Sequence, residues 1–197
     1  MSFLKKIFSS QKNRNVETEE PKEIINLPLD ENFVQNFTKK GGKFIYCSHQ
    51  EEVNQNLKNI LEENVWEEAF CTNDDLQKLL LIANSNSLEK FKTKTPFFTT
   101  CEYLIAKDGN IMFTSNQLGE KKLKDLPINF IVFAKTSQIL NDKGDALIGI
   151  NSNKDKEIPT NIGAVKCYDP NKKNDDDFMN YGNNNSKNLY LLLLEDL

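Results

Sequence analysis

The sequence predicts an α/β fold with a mostly parallel sheet and crossover helices, and three features predict it. Short apolar runs alternate with helix-like runs along the chain. The run FIVFA at 130–134 is apolar on both faces, as a strand covered on both sides must be, and LYLLLL at 189–194 reads as a second buried strand. The run from 48 to 64 places Val53, Leu57, Ile60 and Leu61 at helical spacing, one stripe to lay on that sheet.

The elements follow in order. Asp30 caps a short helix, ENFVQNFTKK, that ends at Gly41-Gly42. KFIYC, 43–47, is a strand. Ser48 caps the next helix, with Glu51 three residues on completing a capping box. A short strand covers 68–71, and Asn73 caps DDLQKLLLIAN. The stretch CEYLIAKDGNIMFTSNQ, 101–117, reads as two strands, 102–106 and 111–115, around the turn Lys107-Asp108-Gly109-Asn110. Asp-Gly forms such turns because glycine takes positive φ at no steric cost. A linker with one helical turn follows, then the strand 130–134, a helix over 137–150, a strand at 164–168, an acidic Asn-rich loop over 169–186 and the last strand, 189–194.

The first 28 residues read as a separate flexible tail, leaving 29–197 as one α/β domain. MSFLKKIF groups Phe3, Leu4, Ile7 and Phe8 beside Lys5-Lys6, which suits a weak membrane-surface or partner contact. The charged segment after it breaks at Pro21.

Composition narrows the function classes. The chain has 197 residues, a net charge of −4 and 38% hydrophobic content; its pI is about 5.2 and its mean hydropathy −0.58. The acidic balance argues against nucleic-acid binding, which wants a basic face. No run of 18 apolar residues occurs, so no membrane span is expected. No signal-peptide core is present either, so the expected compartment is the cytoplasm. Cys47, Cys71, Cys101 and Cys167 are far apart and form no CxxC pair, so no zinc site or iron–sulfur cluster is expected. They read as buried small hydrophobes, with Cys101 the best candidate for a reactive thiol.

Standard catalytic motifs are missing. GxGxxG, GxxxxGK[ST] and GxSxG do not occur, and His49 is the single histidine. Asp175-Asp176-Asp177 lacks the spacing of a calcium loop, so no metal or cofactor is expected. What remains is a set of loops able to gather on a small anion. The first is the turn Lys107, Asp108, Gly109 and Asn110, with Glu102 before it. The second is Gly182, Asn183 and Ser186, where successive N–H groups can form an anion-holding nest. Thr160 and Asn161 add donors from a third loop.

From Cys101 onward the order of pieces resembles the LUD domain, the family of the C-type lactate-utilisation proteins. The family's strand–AETGT–strand block stands here as Ala106-Lys107-Asp108-Gly109-Asn110, keeping the alanine and the glycine. Its LPPxHI strand entry is similar to LPINFIVFAKTSQIL, with Phe130 in the histidine's place. Its GPSRTADI loop and final GxHGP–VxLL block are similar to IPTNIGAVK and YGNNNSKNLYLLLLED, and the ending resembles a small, divergent branch. The resemblance implies a fold like the deaminase, sugar-phosphate isomerase and CoA-transferase group. It also implies a part in lactate oxidation beside iron–sulfur partner proteins. The apolar strands and glycines match, while the family's Arg, His and Glu do not. The expectation is therefore an accessory or ligand-binding protein of organic-acid utilisation. One alternative is a non-catalytic sensor or adaptor that binds a small anion. Another is a small enzyme with Glu102 or Asp108 as base.

Overall fold

In the computed structural model, residues 27–92, 94–152, 158–169 and 185–196 are described. The expected tail therefore lies outside the described residues apart from its last two, as do Gly182, Asn183 and the Asp175–Asp177 run, written 175–177.

Helix α1 (Leu29–Lys39) turns Phe33, Val34 and Phe37 inward. Its N-cap position is Pro28 rather than Asp30, which sits in the first turn, where a carboxylate suits the positive helix end. Strand β1 (Lys43–Cys47), helix α2 (Gln50–Glu63), strand β2 (Glu68–Phe70) and helix α3 (Asp74–Ile82) follow as expected. The cap of α2 shifts by one residue. His49 accepts from the Glu52 N–H, and Glu52, not Glu51, reaches back to the Ser48 N–H at 2.7 Å. Asn73 caps α3 by accepting from the Leu76 N–H at 3.0 Å.

Two short strands that periodicity does not signal come next, β3 (Asn86–Leu88) and β4 (Phe97–Thr100). The hairpin is present: β5 (Tyr103–Ile105) pairs antiparallel with β6 (Asn110–Thr114), Leu104 facing Ile111. One turn, α4 (Ser115–Leu118), leads towards β7 (Asn129–Lys135).

The helix expected over 137–150 is corrected. Residues Thr136–Gln138 make one 3-10 turn, β8 (Ile139–Leu140) joins β5, and α5 (Lys143–Ser152) starts only after it. Two tertiary contacts override the local pattern. The Asp196 carboxylate accepts from the Ser137 N–H at 2.9 Å and its hydroxyl at 2.8 Å, fixing the turn. The N–H groups of Ala106 and Lys107 then take the carbonyls of Leu140 and Asn141. The chain ends with β9 (Ile162–Val165) and β10 (Asn188–Leu194).

The strands form two sheets. One is six-stranded and parallel throughout, in the order β1-β10-β7-β4-β2-β3, and the other is four-stranded, β8-β5-β6-β9. Alternation along the central strands splits the core. Ile131, Tyr190 and Leu192 meet Val53, Leu57 and Leu80 of α2 and α3 on one face. Phe130, Val132, Leu189 and Leu191 face the other way, onto α1 and the inner side of the second sheet, Leu104, Ile111 and Phe113. Helix α5 covers part of that sheet's outer side through Ala146 and Ile150. No helix among the described residues is long and apolar enough to cross a membrane.

Gly109 is where the hairpin meets α1. Its φ is +58°, and a Cβ there would stand 2.4 Å from the Phe37 nitrogen. Gly109→Ala is expected to lower the unfolding free energy by about 2–4 kcal/mol, from left-handed strain plus overpacking. A urea titration reads this as a lower midpoint at unchanged slope. A loss under about 1 kcal/mol would show that the helix yields instead.

Candidate functional site

The residues singled out from the sequence fall into three separate groups. At the 107–110 turn the polar groups face the protein itself. Asn36 Nδ2 donates to the carbonyls of Ala106 at 2.9 Å and Lys107 at 3.3 Å. Lys40 Nζ donates to the Asp108 carbonyl and, at 3.0 Å, to Asn110 Oδ1. Lys143 Nζ stands 3.4 Å from Asp108 Oδ2, and the Tyr168 hydroxyl lies 2.8 Å from the Gly109 carbonyl. Gly109 and Asn110 are buried, and Lys107 is the exposed member.

Glu102, Thr160 and Asn161 gather at the far end of β6. Glu102 Oε2 accepts from Gln117 Nε2 at 2.9 Å and from Thr114 Oγ1 at 3.1 Å. The Thr160 N–H donates to Ser115 Oγ at 3.1 Å, and the Ser115 N–H donates to the Asn161 carbonyl. Ser186, the third group, is buried at the entry to β10. Cys101 is also buried, and desolvation pushes its thiol up, so it stays protonated and packs as a small apolar group.

A concave site forms elsewhere, at the amino ends of β1, β10 and β7. These strands begin with Lys43, Asn188 and Asn129, and Asn188 stands beside Asn129 in the parallel register. With Gly41, Ile128, Tyr168 and Asp169 they line a cleft of about 480 Å³, a volume in the range of small-molecule sites. Asn188 Nδ2 donates to Asn129 Oδ1 at 2.9 Å. Lys43 Nζ donates to the Tyr190 hydroxyl at 2.9 Å and lies 4.1 Å from the centre of that ring. Asn64, at the end of α2, donates to the same hydroxyl at 3.1 Å. A sequence signal for these positions exists: an asparagine stands immediately before each of the two most apolar strands.

The 107–110 turn is the buttress of this cleft. Tyr168, a wall residue, is held by its hydroxyl on Gly109 and by its N–H on the Lys40 carbonyl. Gly41, at φ +90°, lets Asp169 approach so closely that a Cβ at 41 would meet Asp169 Cβ at 3.2 Å. Behind the cleft floor, Lys187 is buried and donates to the carbonyls of Leu126 at 3.0 Å and Pro127 at 2.9 Å. Burial lowers its ammonium to about 8.

The fold and cleft define an α/β protein with a parallel main sheet and a polar amino edge. No family model matches the chain, and no curated protein matches it by sequence. A solved structure similar in fold is the crystal structure of a DUF162 family protein from Deinococcus radiodurans, at a TM-score of 0.58 and 10% identity. The match covers 85% of this chain and 96% of that one. DUF162 is the LUD domain family, so the likeness in fold agrees with the resemblance drawn from residues 101–197.

Two stability measurements test the buttress and the floor. Tyr168→Phe leaves a buried carbonyl without its donor and is expected to cost about 1–2 kcal/mol. An unchanged urea midpoint would show that the hydroxyl does not hold the turn. Lys187 gives a pH signature. Between pH 8 and 10.5 the unfolded chain keeps a lysine proton that the folded chain has released, so stability rises with pH across that window. Lys187→Met is expected to remove that rise, read as the difference between variant and parent midpoints at about pH 7.5 and pH 9.5. Parallel pH dependences in the two proteins would contradict it.

Proposed function

We propose that this chain is a ligand-binding protein of the LUD type that takes a small carboxylate in the amino-edge cleft, as an accessory component of lactate or related organic-acid utilisation. Lys43 carries this reading. Its ammonium is a point charge with three donors, fixed by the Tyr190 hydroxyl within a cleft that also presents the Asn129 and Asn188 amides. A cation beside amide groups suits a carboxylate with further polar atoms. The fold likeness to a DUF162 chain supports the LUD type. The motif resemblance across 101–197 supports the link to organic acids. In this reading electron transfer belongs to iron–sulfur partner proteins, and this chain captures and presents the ligand.

The test is a thermal-shift screen of the full chain against lactate, pyruvate and other small carboxylates. A ligand at about 100 times its Kd stabilises by about 2.7 kcal/mol, a rise of a few degrees. Lys43→Ala is expected to abolish the shift, while Lys107→Ala, at the exposed turn, retains it. A screen without any carboxylate hit, or a shift that survives Lys43→Ala, sinks the proposal.

A further inference from the structure

The cleft carries a second charge with a consequence for which carboxylate it selects. Asp169 lines the same cavity as Lys43. It stands on the Gly41 and Tyr168 wall, and Gly41 is two residues before Lys43. Close packing on Gly41 and the Tyr168 anchorage keep Asp169 at that wall. A simple hydroxy or keto acid bound at Lys43 brings its negative charge into a cavity that already holds a carboxylate, and like charges in one site disfavour each other. A ligand with an ammonium beside its carboxylate reverses the sign of that interaction and satisfies both walls. The amides add direction. Asn188 Nδ2 and Asn129 Oδ1 are used on each other, which turns the remaining Asn129 donor and Asn188 acceptor to a polar ligand group. Ile128, 45% exposed, offers an apolar ledge beside them.

We propose that the amino-edge cleft is selective for a free α-amino acid, with Lys43 receiving the carboxylate and Asp169 the ammonium. This rests on the reading of the cleft as a carboxylate site and names the class of ligand it prefers.

The experiment titrates the full chain with the standard L-amino acids, with L-lactate, and with the N-acetyl and α-amide forms of whichever amino acid binds tightest. The amino acid is expected to bind about tenfold or more tightly than lactate and than either blocked form. Asp169→Asn is expected to erase the preference over the N-acetyl form while leaving lactate binding in place. An N-acetyl form or lactate that binds as tightly as the free amino acid overturns the amino-acid assignment and leaves the carboxylate reading standing. The absence of binding by every carboxylate overturns both. The blocked-ligand comparison on the parent protein decides the matter even if the Asp169 variant does not fold.

Discussion

The locking of the 107–110 turn onto α1 is the constraint on which the rest of the architecture depends. The two sheets share no strand pairing; what lies between them is a continuous apolar layer, with Phe37 of α1, Phe113 of the second sheet and Phe130 of the first all fully buried. Apolar burial drives such layers together but does not orient them, because it is non-directional. The orientation comes from a few directional contacts: Asn36 on the Ala106 carbonyl, Lys40 on the turn, and the Tyr168 hydroxyl on Gly109. Glycine at 109 is required because the α1 backbone passes where a side chain would stand.

That constraint also explains where a ligand fits. Open parallel sheets usually receive ligands at the carboxyl ends of their strands. Here several groups at that edge are used internally. Asp196 is held by Thr136 and Ser137, Gln138 donates to the carbonyls of Cys101 and Glu102, and the Glu195 N–H takes the Cys47 carbonyl. At the opposite edge the strands open with Lys43, Asn129 and Asn188, and the Tyr168 wall held by the turn closes one side of the cleft.

A likeness at 10% identity over most of both chains follows from what the layers demand. Cores accept many sequences of the right volume and pattern. The family positions retained at the turn are Ala106 and Gly109, both buried, while Lys107, which departs from the pattern, is exposed. Phe130, in the place of the family's histidine, is fully buried, with its ring edge-on to Phe97 and Phe113. A polar ring there would lose that packing, so the substitution strengthens the core at the expense of polar chemistry.

By itself the sequence determined the class of fold, the hairpin and most helices, because these rest on local periodicity, caps and turn residues. The stripe of Val53, Leu57, Ile60 and Leu61 and the doubly apolar strands needed no partner to be read. Local pattern failed where non-local bonds ruled. The three residues of β3 are held by pairing with β2, and 136–142 was pulled out of a helix by Asp196 and the 106–107 backbone. The turn at 107–110 was legible as a turn, but its burial against α1 was not. Only the tertiary structure decided the cleft. Asn129 and Asn188 are 59 residues apart in sequence and become neighbours through the register of two parallel strands, which no local pattern encodes.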